Sequence, residues 1–244
     1  MRGIIKHLLV LIFISATSWG CKAQQKSWGV RMAETIMKTY PDSIVVKAAG
    51  EVSVAKPKRP AVWNYEYGVL LTSFRQLEKQ TGNRDYFEYS KKIIDHFVRD
   101  DGSIRTYDLT EFNIDHITPG RIVLWLYQET KAEKYQIAAK LLHEQLIWQP
   151  RTKEGGYWHK LRYPYQMWLD GLYMGETFAA EYASLFKETN KFEDIANQFI
   201  WMEKHARDRN TGLLYHAYDE SKLQQWANPV TGLAPNFWGR GMGW

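Results

Sequence analysis

The chain has 244 residues, 45% of them hydrophobic and 15% aromatic, with 11 Trp and 15 Tyr. That supports one large domain with a sizeable core and excludes a disordered chain. The formal charge of +5 is scattered apart from Lys56-Pro-Lys-Arg59, a short run that reads as solvated surface, so no nucleic-acid partner is expected.

The N-terminus reads as an export signal over residues 1–23. Arg2 and Lys6 precede the apolar run Leu8–Ile14, which is too short to span a membrane. Two processing routes stay open. Cys21, the only cysteine, follows Ser18-Trp-Gly20 and offers a site for a lipid anchor; alternatively, cleavage falls after Ala23. Either route places the protein outside the cytoplasm, in the periplasm or on the outer membrane of a Gram-negative bacterium. A single cysteine allows no intrachain disulfide.

Residues 24–244 form the second region. Spacings of three and four predict amphipathic helices over 61–79 (Tyr67, Leu70, Phe74, Leu77), 85–98 (Tyr86, Ile93, Ile94, Phe97), 132–148 (Tyr135, Ala138, Leu142, Leu146) and 191–205 (Phe192, Ile195, Phe199, Met202). Two more are expected near Pro119, with Thr118 as its N-cap, and near Asp170. No stretch alternates for long, so almost no sheet is expected. Turn-then-aromatic segments opening at Tyr86, Tyr135 and Phe192 recur at roughly fifty residues, a spacing that suits stacked helical hairpins. The polar, Gly-rich stretches 100–116, 150–167 and 207–236 are too long for plain connections and gather at one end of the hairpins.

The titratable groups concentrate in and beside these loops: Asp115 and Arg121, His159 and Lys160, Asp170, His216, and Arg240 before Trp244. Carboxylates, imidazoles and cations among tryptophans suit an acid–base site on a sugar. Plainer roles remain open for each. Asp170 can cap a helix, Asp115 can brace its loop against His116 or Arg121, the two histidines can sit in the core, and Arg240 can pair with a buried acid. No HExxH spacing or calcium loop is present, so no metal is expected.

Several strings resemble glycoside hydrolase family 105 and the related family 88: Trp63-Asn-Tyr-Glu-Tyr67-Gly, Asp101–Asp108, Asn113–Arg121, Pro150–Gly156, Met167-Trp-Leu-Asp170-Gly-Leu-Tyr173 and Pro235–Arg240. The resemblance runs from about residue 30 to the end. It implies an all-α fold, an (α/α)6 toroid of helical hairpins, of which about four are expected here, and a monomer when complete. It implies an enzyme that hydrolyses 4,5-unsaturated uronyl-rhamnose oligosaccharides from pectin without metal or organic cofactor. By the same resemblance, Asp170 is the general acid/base and Asp115 its assistant. Tyr67, His159, Lys160, His216, Arg240 and Trp244 are implied as substrate contacts. An inverting glycosidase using Asp115 and Asp170 as base and acid, and a non-catalytic sugar-binding protein, are the alternatives.

Overall fold

The computed structural model describes residues 26–42 and 61–244; the export signal and the Lys56–Arg59 run lie outside the described residues. The chain divides into two compact units, Met1–Thr35 and Ile36–Trp244. Helix α1 (Trp28–Thr39) crosses that division. Among the described residues of the larger unit, three hairpins rather than about four follow in chain order: α2 (Tyr65–Thr81) with α3 (Asp85–Asp95), α4 (Gly120–Thr130) with α5 (Glu133–Trp148), and α6 (Thr177–Phe186) with α7 (Phe192–Ala206). A short helix α8 (Gly239–Gly243) ends the chain.

The first helices of the hairpins, α2, α4 and α6, pack on one another, and each second helix packs behind its own partner. The apolar spacings explain this layering. Phe74 of α2 meets Tyr86 and Tyr89 of α3 at 5.8 and 5.1 Å between ring centroids. Tyr135, Ala138, Leu142 and Leu146 of α5 are all buried, as their spacing predicts. Polar groups tie the inner layer as well. Glu181 of α6 binds Arg75 of α2 at 2.8 Å and Arg121 of α4 at 2.7 Å.

Close approach at the inner layer depends on small residues. A Cβ on Gly68 of α2 would stand 2.6 Å from the Thr118 carbonyl carbon, and one on Gly120 would stand 2.7 Å from the Phe178 ring. Helix α4 opens one residue later than its sequence suggests, with Pro119 as N-cap. Thr118 instead closes the preceding 3-10 turn, and its hydroxyl donates to the Asp115 carbonyl at 3.2 Å.

Among the described residues, the one sheet is a two-stranded antiparallel pair. In it β1 (Gln166–Trp168) runs against β2 (Ala217–Asp219), with Met167 opposite Tyr218. Its inner side packs Met167 and Tyr218 with Leu169, Met202 and Ala206, joining the loops to α7. Between β1 and α6 the chain makes a π-helical turn, Leu172–Glu176, in place of the regular helix expected from Asp170 onward.

Candidate active site

Three loops meet at one backbone junction. The His159 N–H donates to the Gln166 carbonyl at 2.7 Å, and the His159 carbonyl accepts from Ile114 N–H at 3.1 Å. Two residues past Met167, Leu169 N–H donates to the His216 carbonyl at 2.8 Å, and His216 N–H donates to Asn236 at 3.2 Å. Asp115, His159, Asp170 and His216 are therefore placed by one connected network, although they are far apart in sequence.

Asp115 sits in a 3-10 turn, Ile114–Ile117, whose start is held by Asn113 Oδ1 accepting from the Asp115 N–H at 3.1 Å. Its carboxylate is buried and fully occupied. His159 Nε2 stands 3.1 Å from Oδ1, and Lys160 Nζ donates to Oδ2 at 2.7 Å. Burial alone would raise its pKa, but the bonds and charges of His159 and Lys160 outweigh burial and hold the carboxyl well below the usual carboxylate range. Asp115 thus braces neither His116 nor Arg121. His116 bonds to Asn113 at 3.1 Å, and Arg121 pairs with Glu181.

Asp170 follows β1 directly. Its backbone carbonyl accepts from Tyr173 and Met174 N–H at 3.1 and 3.0 Å, while side-chain Oδ1 is buried and meets no partner. It does not act as the side-chain cap of the following turn. Its charge is felt at His216, whose pKa burial lowers and Asp170 partly restores, and at Tyr65.

Aromatic rings surround these groups. The Trp168 ring lies parallel to His159 on one contact (4.8 Å, 11°) and to Tyr163 on another (5.1 Å, 8°). It meets His216 edge-on at 5.5 Å, and His216 in turn meets Trp238 at 4.5 Å. Trp244 stacks on Tyr173 at 4.9 Å and meets Tyr65 edge-on at 6.5 Å. Arg240 lies over Trp238 at 4.2 Å, within electrostatic range of Tyr65, Glu66 and His216.

The structure therefore brings together Asp115, Asp170, His159, Lys160, His216, Arg240 and Trp244. Tyr67 does not join them. It is 3% exposed, with its ring edge-on to Phe97 at 4.9 Å, inside the core of its hairpin. The helical phase accounts for this: Tyr67, Leu71 and Phe74 share the buried stripe of α2, and Tyr65 and Glu66 turn to the site instead. Glu66 lies inside the Trp63–Tyr67 string but was not singled out there. Its pKa is raised by burial and by Asp115, against the pull of Lys160 and Arg240. Its place just before Tyr67, at the first turn of α2, was the available signal.

A layered array of helical hairpins with an acid–base cluster at the loop ends defines a glycoside hydrolase of the helical toroid class. The sequence profile of glycosyl hydrolase family 88 matches residues 28–244, and the chain belongs to that family. It is 28% identical over 188 residues to the unsaturated rhamnogalacturonyl hydrolase YesR of Bacillus subtilis, a match covering 75% of this chain and 51% of that protein. The solved structure of a family 105 glycoside hydrolase from C. acetobutylicum is 43% identical, with a TM-score of 0.79 over 90% of this chain and 56% of that one. A possible family 105 member from Klebsiella pneumoniae, at 18% identity and TM-score 0.62, shares the fold over 84% of this chain and 55% of that one. The chain spans about half the length of these relatives.

Proposed function

We propose that this protein, after export, hydrolyses 4,5-unsaturated uronyl sugars, with Asp170 as the single acid/base. The observation that carries the reading is the contrast between the two carboxylates. Asp115 is saturated by His159 and Lys160, whereas Asp170 keeps a buried oxygen unpartnered in an aromatic cleft.

The chemistry follows from that contrast. A 4,5-unsaturated uronide is an enol ether. Neutral Asp170 would give its proton to C4, and the positive charge that develops at C5 is shared with the ring oxygen. The Asp170 carboxylate then takes a proton from the water that attacks C5. The resulting hemiketal opens and releases the neighbouring sugar. Arg240 and Lys160 supply positive charge for the uronate carboxylate, and Trp244 offers a flat face for a sugar ring. The likeness to the Bacillus enzyme favours rhamnose as the released sugar.

An inverting glycosidase would need Asp115 as a general base across a gap of roughly 6.5–9.5 Å. A carboxylate held this firmly as the anion is a weak proton acceptor near neutral pH, which counts against that reading.

The test is the C4 label. Turnover of the unsaturated disaccharide in heavy water should place deuterium at C4 at short times, judged against a product-only control for enolisation. The saturated galacturonosyl-rhamnose should be inert. Efficient cleavage of the saturated sugar, with C4 unlabelled in the unsaturated one, would overturn the proposal.

A further inference from the structure

A buried carboxyl that shares a small pocket with His159 is left unused by the chemistry above. Glu176 ends the π-helical turn and is 3% exposed. Its Oε2 meets no hydrogen-bond partner, and neither does His159 Nδ1. Both residues line the same pocket of about 10 Å³, together with Ile114, Met167, Leu172, Gln198 and others. That volume is at the lower bound for a single water, roughly 10–15 Å³, and two polar partners meet the minimum such a water needs. The amide of Gln198 is already engaged, accepting from Tyr157 N–H at 2.9 Å and donating to Gly155 at 3.1 Å.

The polarity of the chain can be read from its ends. Asp115 accepts from Lys160 and faces His159 Nε2, so Nε2 carries the donated proton. In the neutral ring Nδ1 is then an acceptor and requires a donor. An ionised Glu176 could not start such a donation, but a neutral carboxyl can. The surroundings favour the neutral form. The cation that acts on Glu176, Arg151, is spent on Asp194 in a two-bond pair at 2.7 Å each, and Tyr157 leans on the same pair at 3.0 and 3.3 Å.

We propose that Glu176 is a positioning residue of this site: its neutral carboxyl, through one water in the cavity, donates to His159 Nδ1 and so fixes the ring that grips Asp115. Burial, reinforced by Asp194 and only partly offset by Arg151, pushes the Glu176 pKa up to about 8, so the donor persists through neutral pH. What this does for turnover rests on the function proposed above; the hydrogen-bond chain does not.

The experiment reads the ring nitrogens directly. The full chain carrying 15N-histidine is titrated from about pH 6 to about pH 10, a window that spans the Glu176 titration. The His159 signals are assigned by their loss in His159→Asn. In the wild type, Nε2 should be protonated and Nδ1 an acceptor, with the Nδ1 signal stepping near pH 8, where Glu176 ionises. Glu176→Gln keeps a neutral donor and should retain the low-pH signature without the step. Glu176→Leu should displace Nδ1 at every pH, and if it fails to fold, the near-isosteric Gln variant carries the test. The proposal is overturned if the step survives in Glu176→Gln, if Gln shifts the ring as far as Leu does, or if Leu matches the wild type. A correct nitrogen signature without turnover of the unsaturated sugar would instead count against the hydrolase reading alone.

Discussion

Asp115 and Glu176 are two buried carboxyls on neighbouring elements in different environments, and their responses to pH should differ in sign. Asp115 has a lowered pKa in the folded protein, so its contribution to stability is present above the ordinary carboxylate range and is lost as pH falls. Asp115→Asn leaves Lys160 and His159 facing a neutral amide inside the protein. It should cost about 3–5 kcal/mol at neutral pH, as breaking a buried pair does, and less below about pH 4. Urea melts at the two pH values check this. Glu176 is the opposite case. Its raised pKa makes stability full below the unfolded value near 4.5 and progressively lost as pH rises toward 8. Glu176→Gln should therefore raise the melting temperature at neutral pH, with the gain vanishing below about pH 4.5. A gain that is equal at both ends of the range would show that Glu176 does not titrate as described. Asp170→Asn should abolish turnover while leaving substrate binding within about tenfold, since the amide keeps the shape but cannot shuttle a proton. Turnover by that variant close to wild type would remove Asp170 from its role.

At the scale of elements, the site depends on how closely α2 approaches the Asp115 turn. Gly68 permits that approach, because an added Cβ would fall 2.6 Å from the Thr118 carbonyl carbon and 2.7 Å from Pro119 N, which are backbone atoms that cannot swing aside. Gly68→Ala should cost about 1–3 kcal/mol through overpacking and shift the 114–119 turn, so both the melting temperature and substrate affinity should fall. An unchanged melt would mean that α2 can retreat without strain. This contact also marks how far the sequence could be read. The hairpins were legible because their apolar spacing decides which face is buried, and Asp115, Asp170, His159, Lys160, His216 and Arg240 were legible because their motifs carry them. Tyr67 was misread because motif adjacency was weighed above the helical phase it shares with Leu71 and Phe74. The π turn and Glu176 had no signature at all. A carboxyl in an otherwise ordinary helical stretch acquires its burial only when β1 and the 150–167 loop fold over it.

At the scale of the molecule, α7 carries more apolar surface than the described structure covers. Its sequence suggested a single stripe through Phe192, Ile195, Phe199 and Met202, but the structure divides it. Gln198, Met202 and Ala206 are buried toward the sheet, whereas Phe192, Phe199 and Ile200 are 42%, 46% and 57% exposed. A helix with two apolar sides suits a layered array in which each hairpin has a neighbour on both flanks, and such faces normally need a neighbour or a cap. The resemblance pointed to the array, but which residues of α7 face which neighbour is set by packing that spacing alone does not encode. Left in water, the outward side should drive self-association of the 244-residue chain. Covering a Phe or Ile side chain contributes about 1.5–3 kcal/mol. The double substitution Phe199→Ser, Ile200→Ser should accordingly weaken association at least tenfold, with the Met202 side of the helix and the helical circular dichroism preserved. Sedimentation velocity across a concentration series measures this. A wild-type chain that stays monomeric throughout the series, or a double variant that associates as strongly as the wild type, would show that this side of α7 is not where the molecule adheres.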